Sequence, residues 1–247
     1  MSDARAELVQ HLRELRQRLM YAVGLLLIVF IACYLVSSSL MAFVVEPLQS
    51  KMTGDMQMVF INLPEIFFAR LKIAFVTALF ISSPFIITQL WLFIAPGLYK
   101  HERSFFLLML TASAFLFMVG GFFAYAFVMP LAFEFFLGFS TPDIAALPTM
   151  QLYVSLVLQL AVAFGLAFEI PLVCVVLAKL GVVSTDTMKK KRAWVFVGTF
   201  VLGAVLTPPD VISQVMLAVP VYLLFELGLL MAKAFEKKED SRLVESH

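Results

Sequence analysis

The sequence predicts an all-α integral membrane protein that crosses the bilayer six times and keeps both termini in the cytoplasm. Its composition is 62% hydrophobic with 26 Phe, and only 14% of the residues are charged. A soluble domain carries about a quarter charged residues, so a soluble core could not hide this much apolar surface. The apolar residues also fall into long runs, and Lys and Arg gather at alternate ends of those runs.

Six apolar runs are predicted to be membrane-crossing helices, because about 20 apolar residues span the hydrocarbon and lipid forces the backbone to bond internally. They are residues 20–43, 71–94, 105–128, 152–180, 193–206 and 211–232. The fifth and sixth spans are short: the fifth is about 21 Å of helix, and the sixth is broken by Pro220. Pro171 predicts a kink in the long fourth span.

We expect a single membrane domain over residues 1–247. Residues 1–19 form a cytoplasmic amphipathic segment, 20–232 the six-span bundle, and 233–247 a charged cytoplasmic tail. The first apolar run exceeds the roughly 7–15-residue core of a cleavable signal peptide, so we interpret it as a permanent anchor.

The orientation follows from the distribution of Lys and Arg, which favour cytoplasmic connections. Only three of the 18 Lys and Arg residues, Lys51, Arg70 and Lys72, lie on the predicted outer side. The other fifteen lie before the first span, at the connections from the second to the third span and from the fourth to the fifth, and after the sixth span. Both termini are therefore predicted to be cytoplasmic.

The sequence offers no pattern typical of a catalytic or cofactor site. The three His residues are scattered, and no Cys and His cluster has the spacing of metal ligands. Cys33 and Cys174 lie inside apolar runs and are interpreted as small core residues. We expect no enzymatic activity, no cofactor and no metal, and the balanced charge gives no reason to expect a nucleic-acid partner.

Two cytoplasmic segments carry carboxylates. In segment 4–19 the Leu residues form one helical stripe, which predicts an amphipathic interfacial helix, yet Glu14 lies among arginines. A basic anchor for lipid headgroups would explain the arginines but not Glu14. Segment 93–103 (FIAPGLYKHER) adds Glu102, although a loop that only orients helices would also account for it. Two carboxylates near one interface would suit a cationic ligand, and Arg best, because its planar fork matches a carboxylate.

Three further acidic residues lie in or next to the predicted spans. Glu169 lies near the middle of the fourth span, where burying a charge costs about 2.5–3.5 kcal/mol on insertion scales, so it merits a functional hypothesis. Glu226 lies in the cytoplasmic half of the sixth span, where a structural role is equally reasonable. Asp210 precedes the last span after Pro208 and Pro209, and on chemistry alone it is a good helix N-cap.

Four stretches together resemble the TatC family, the large subunit of the twin-arginine protein translocase. Residues 11–18 (HLRELRQR) are similar to the amino-terminal signature of that family, and 93–103 are similar to its first cytoplasmic loop. Residues 168–171 (FEIP) and 206–210 (LTPPD) resemble two further family stretches. The resemblance extends from about residue 8 to about residue 235, in the family's order and on the expected sides of the membrane.

The resemblance implies a function that the composition does not. TatC-like proteins bind, on the cytoplasmic face, the twin-arginine signal peptides of folded export cargo. They work in the bacterial cell inner membrane with TatA-like and TatB-like single-span subunits and with several copies of themselves. The proton-motive force supplies the energy.

The resemblance also implies roles for individual residues. Glu14 and Glu102 would be the carboxylates that meet the two arginines of the signal peptide. Glu169 would be the polar residue within the membrane, and Pro208 and Asp210 would form the turn at the outer face. The residues that would shape the same binding surface as the two carboxylates are Arg16, Phe93, Leu98, Tyr99 and Arg103.

Two other functions remain open from the residues alone. The first is a proton-coupled transporter of small solutes, with Glu169 carrying the proton and Pro171 and Pro220 as hinges; the scarcity of polar residues at mid-membrane argues against it. The second is a passive scaffold that gathers partner helices, for which the cytoplasmic carboxylates would be dispensable.

Overall fold

The computed structural model describes residues 2–49, 59, 61–62, 64–94, 103–138, 149–206 and 211–245, and within these ranges the side chains of 9–236 except residues 94, 103 and 213. The regular structure in these ranges is helical, and one isolated β-bridge joins Val59 to Thr149. The helices are α1 (Ser2–Leu35), α2 (Ser37–Gln49), α3 (Pro64–Ile94), α4 (Arg103–Phe123), a π-helical turn (Ala124–Val128), α5 (Met129–Leu137), α6 (Met150–Ala167), α7 (Ile170–Lys179), α8 (Thr185–Lys190), α9 (Arg192–Leu206) and α10 (Val211–Glu245).

Five segments in the described ranges are long and apolar enough to cross a membrane. They are Val9–Leu35, Pro64–Phe93, Ser104–Leu137, Met150–Lys179 and Gln214–Glu236. The all-α prediction is thus confirmed, and five of the six predicted spans correspond to helices that are long and apolar enough to cross a membrane. The predicted fifth span corresponds to the shorter apolar helix Arg192–Leu206, so its crossing of the bilayer and the cytoplasmic location of the termini stay predictions.

The helices form two compact units. The first comprises α1, α2 up to Val44, α3 and α4 up to Phe115. The second comprises α2 from Val45, α4 from Leu116 and the helices that follow α4. In the first unit α1 packs against α3 through Cys33, Ala74 and Ala78, all buried. Two alanines one turn apart present little side chain, which lets the helix backbones approach closely.

The amphipathic segment 4–19 is helical as predicted, but it is not a separate element. α1 continues from Ser2 to Leu35 without a break at residue 19, and the chain turns only at Val36 before α2. The Leu stripe remains exposed, with Leu12 55%, Leu15 38% and Leu19 59% accessible. An apolar stripe that no other helix covers agrees with contact to the membrane interface.

Proline 84 lies inside α3 without disrupting it. Pro84 has no N–H, so the carbonyl oxygen of Phe80 loses its usual partner one turn further along. The hydroxyl of Ser83 donates to that oxygen at 2.7 Å. This local bond satisfies a backbone group that lipid could not.

In the second unit, glycines mark the tightest helix contacts. A Cβ on Gly120 of α4 would lie 2.4 Å from the carbonyl oxygen of Phe164 in α6, and one on Gly228 of α10 would lie 2.7 Å from the Cα of Pro171 in α7. Only glycine allows such backbone approach. At Gly203 of α9 the neighbour is Gln214 of α10, whose Nε2 donates to the carbonyl oxygen of Phe200 at 2.7 Å.

Several predicted element boundaries differ from the structure. The first span, predicted over 20–43, is interrupted at Val36 between α1 and α2, and the third, predicted to end at 128, continues through the π-helical turn and α5 to Leu137. The long fourth span is interrupted at Phe168 and Glu169, where the sequence predicted a kink, so it consists of α6 and α7. α3 begins at Pro64, well before residue 71, because proline is favoured in the first helical turn. α10 continues to Glu245, past the predicted end at 232, since Lys and Glu are good helix formers even where no apolar stripe exists.

Candidate functional site

A cluster of polar side chains occupies one face of α1 in the first unit. His11, Glu14 and Arg18 are spaced by three and four residues, so they lie on successive turns of the same face. All three belong to segment 4–19. Contact with lipid headgroups would explain the arginines of this segment but not its carboxylate. We refer to the three residues as the α1 polar cluster.

Glu14 is bonded to Arg18 within the α1 polar cluster. The Nε of Arg18 donates to Oε1 of Glu14 at 3.1 Å, and Nη2 donates to the same oxygen. The Glu14 side chain is 38% exposed and that of Arg18 is 21% exposed. The carboxylate therefore stays accessible to solvent while one of its oxygens is held by a guanidinium.

The ring of His11 stacks on the ring of Phe93. Their centroids are 4.3 Å apart and the ring planes are inclined by 19°. Phe93 is the next-to-last residue of α3 and the first residue of segment 93–103. This contact brings the two predicted cytoplasmic motifs together at their ends.

The other residues predicted for this site are described to different extents. Arg16 is exposed on another face of α1. Leu98, Tyr99 and Glu102 lie outside the described residues, as does the side chain of Arg103, which begins α4. The helices before and after residues 95–102 are joined by an edge-to-face contact of Trp91 with Phe106, both buried, at 6.3 Å. The end of α3 and the start of α4 are thus packed together in the first unit.

Glu169 lies in the second unit at the interruption between α6 and α7. Its side chain is partly buried, its N–H donates to Leu166, and its carbonyl oxygen accepts from Val173 at 2.9 Å. Pro171, two residues on, has no N–H to continue a regular helix, which explains the interruption. Pro208 and Asp210 of the predicted outer turn lie outside the described residues.

The carboxylates of Glu226 and Glu236 join helices of the second unit through hydrogen bonds. Arg192 at the start of α9 donates to Oε2 of Glu226 in α10 at 2.6 Å, and the Tyr222 hydroxyl donates to Oε1 at 2.8 Å. Ten residues further along α10, Oε2 of Glu236 accepts from the buried hydroxyl of Thr185 in α8 at 2.6 Å. Glu226 therefore has a structural role, joining α9 to α10.

Helix α8 is a short turn stabilised by its own polar residues. Ser184 caps it by accepting from the N–H of Thr187 at 3.2 Å. Lys189 donates to Oδ1 of Asp186 at 3.0 Å, and this bond holds the pKa of the Asp186 carboxyl below its usual value. The exposed position of Asp186 makes it a useful reference carboxylate, remote in sequence from the α1 polar cluster.

The sequence-based prediction missed His11 and Arg18 as parts of the site. Arg18 follows Glu14 by four residues, a spacing that favours an ion pair on a helix, and this signal was available. This spacing is overlooked when the arginines are assumed only to contact lipid headgroups. The His11 and Phe93 contact has no comparable signal, since it joins two distant segments whose packing sets the distance.

Comparison with known proteins identifies the family of this chain. A family model described as Sec-independent protein translocase protein (TatC) matches residues 10–220. The chain belongs to the TatC family. A relative from Magnetococcus marinus, named Sec-independent protein translocase protein TatC, is 46% identical over 236 residues, which are 96% of this chain and 87% of that protein.

Other TatC proteins give the same result. The protein of that name from Escherichia coli (strain K12) is 37% identical over 95% of this chain and 91% of its own length. A crystal structure of the twin arginine translocase receptor TatC matches with a TM-score of 0.83 at 37% identity, covering 91% of this chain and 98% of that one. The chain is therefore a translocase component and not an enzyme. Its membership argues against the solute transporter and the passive scaffold considered above.

Proposed function

We propose that this chain is the signal-peptide receptor of a twin-arginine translocase in a bacterial inner membrane. The observation that carries the proposal is the stack of His11 on Phe93, which places the start of segment 93–103 beside the helix face that bears Glu14. In this arrangement Glu14 and Glu102 bind the two arginines of the peptide. Arg16, Phe93, Leu98, Tyr99 and Arg103 shape the surrounding surface.

The chemistry of the ligand fits a pair of carboxylates. Each guanidinium donates several N–H groups in a planar fork, so it can bond both oxygens of a carboxylate, while a Lys ammonium offers only a point charge. Removing one carboxylate leaves one arginine of the signal peptide without its partner. A well-formed hydrogen bond to a charged group contributes about 1.5–3 kcal/mol. Two such sites therefore distinguish an Arg-Arg pair from a Lys-Lys pair.

The rest of the chain forms the membrane part of the translocase in this proposal. It is one membrane domain of six spans with cytoplasmic termini, α9 being the short fifth span. Glu169 is the polar residue within the membrane, and Pro208 and Asp210 form the outer turn. Folded cargo moves at the expense of the proton-motive force, with TatA-like and TatB-like subunits and further copies of the chain as partners.

The proposal is tested by measuring how tightly the purified full-length protein, in lipid nanodiscs, binds a fluorescent Arg-Arg signal peptide. Glu14→Gln and Glu102→Gln should each weaken binding by about tenfold or more. Asp186→Asn is the matched control, because it removes one negative charge from an exposed helix of the second unit. Equal affinity in all four proteins would show that the two carboxylates do not bind the peptide.

A further inference from the structure

The Glu14 carboxylate is bonded to a guanidinium of its own helix. Arg18 donates to it from both Nε and Nη2, and both bonds reach Oε1. Oε2 accepts neither of these two bonds, and the Glu14 side chain is 38% exposed. Arg18 therefore engages one oxygen of Glu14, and the side chain stays partly accessible to solvent.

A forked ligand needs more than one oxygen. An arginine of a signal peptide gains its advantage over lysine when two N–H groups bond the two oxygens of a carboxylate. With Arg18 in place, an incoming guanidinium reaches Oε2 alone unless Arg18 is displaced. A lysine ammonium, which makes a single contact, loses much less to this competition.

We propose that Arg18 is an internal competitor for Glu14, which an arginine of the signal peptide must displace for full bidentate binding, and that Arg18 thereby lowers the preference of this carboxylate for Arg over Lys. The inference rests on the proposed function, since it takes Glu14 as a carboxylate that binds the peptide. Arg18 lowers the affinity of the resting receptor and keeps Glu14 neutralised until an arginine replaces it. The exchange substitutes one guanidinium for another, so no net charge is buried and the site releases its ligand readily.

The competition is expected to be modest in size. Arg18 and Glu14 form a partly exposed pair one helical turn apart, and such pairs contribute about 0.2–1 kcal/mol. Its removal should therefore raise the affinity of the receptor for an Arg-Arg peptide about 1.4- to fivefold.

The test compares Arg18→Gln with Arg13→Gln in the full-length protein in nanodiscs, using fluorescent Arg-Arg and Lys-Lys signal peptides. Arg13 lies on the same exposed segment, about 100° around the helix from Glu14, so its variant measures the effect of removing one positive charge. Arg18→Gln should bind the Arg-Arg peptide more tightly than Arg13→Gln does, with a smaller gain for the Lys-Lys peptide. Arg18→Lys, which keeps the charge without the fork, should fall between wild type and Arg18→Gln.

The double variant Glu14→Gln/Arg18→Gln separates this inference from the proposed function. If Arg18 acts by occupying Glu14, the gain from Arg18→Gln should vanish when Glu14 is also changed. Arg18→Gln binding no more tightly than Arg13→Gln, while Glu14→Gln still weakens binding, would overturn the competition alone. Unchanged binding in Glu14→Gln by itself would overturn the role of Glu14 and this inference with it.

Discussion

The imidazole of His11 stacks on the phenyl ring of Phe93, with centroids 4.3 Å apart. The contact joins the amphipathic segment to the end of α3, and it fixes where Glu14 lies relative to the start of segment 93–103. Aromatic pairs of this kind contribute about 0.5–1.5 kcal/mol beyond the burial of their area. The stack is therefore strong enough to affect ligand binding without touching the ligand.

His11→Ala should weaken binding of an Arg-Arg signal peptide about two- to tenfold, because segment 4–19 would no longer be held against Phe93. His11→Phe preserves the stack and should bind close to wild type, and Leu12→Ala, at an exposed neighbour, controls for general damage. Equilibrium titration of the purified protein measures all three. If His11→Phe were as impaired as His11→Ala, stacking would not be the property that matters.

Residue 210 should lie on the opposite side of the membrane from residue 186 if α9 crosses the bilayer. α9 has 15 residues, about 22 Å of helix, so flanking residues such as Arg192 must reach the interface. Single cysteines at these two positions, in a background lacking Cys33 and Cys174, can be labelled with a membrane-impermeant maleimide. In spheroplasts, only the Asp210→Cys protein should react before permeabilisation. Protection of both positions would mean that α9 does not cross.

Gly120→Ala should lower the stability of the protein, because the new methyl group would lie 2.4 Å from the carbonyl oxygen of Phe164. Overpacking of this kind costs about 1–3 kcal/mol, and backbone atoms cannot move aside cheaply. Gly198→Ala is the matched control, since among the described residues nothing outside the neighbouring part of its own helix lies within 4 Å of the place that its new methyl group would take. Thermal unfolding in detergent should show a lower midpoint for Gly120→Ala only. Equal midpoints would argue against close packing of α4 on α6.

Glu226→Ala should destabilise the contact between α9 and α10 by about 1 kcal/mol, because Arg192 and Tyr222 both lose their acceptor. Glu226→Gln, which keeps an acceptor, should lose less. Asp186→Ala provides the comparison, because the Asp186 side chain is largely exposed and its ion pair is with the nearby Lys189. Thermal midpoints measured at two salt concentrations check the prediction. A wild-type midpoint in Glu226→Ala would remove the structural role assigned to this residue.

Much of the fold could be predicted because a bilayer imposes simple requirements on the sequence. Apolar length and internal backbone bonding locate the long helices, and Pro171 indicates where the fourth span is interrupted. The helix boundaries were less predictable where a polar segment is nevertheless helical. α1 continues through its charged start, and α10 continues through its charged end, because helix propensity does not require lipid.

The candidate site was only partly predictable. Glu14 stood out because a carboxylate among arginines has no use at a negatively charged leaflet, and its pairing with Arg18 follows from the four-residue spacing. Contacts between distant residues were not predictable in the same way. The bond of Arg192 to Glu226 joins residues 34 positions apart, and it depends on how α9 packs on α10 rather than on any local pattern.

The most direct measurement of the receptor proposal is site-specific photocrosslinking from positions 14 and 102 to a signal peptide. A photoreactive amino acid at either position, in the full-length protein in membranes, should capture the Arg-Arg peptide strongly and a Lys-Lys version weakly. The same probe at the exposed position 186 should capture neither. Equal capture of both peptides at positions 14 and 102 would contradict recognition of paired arginines by these residues.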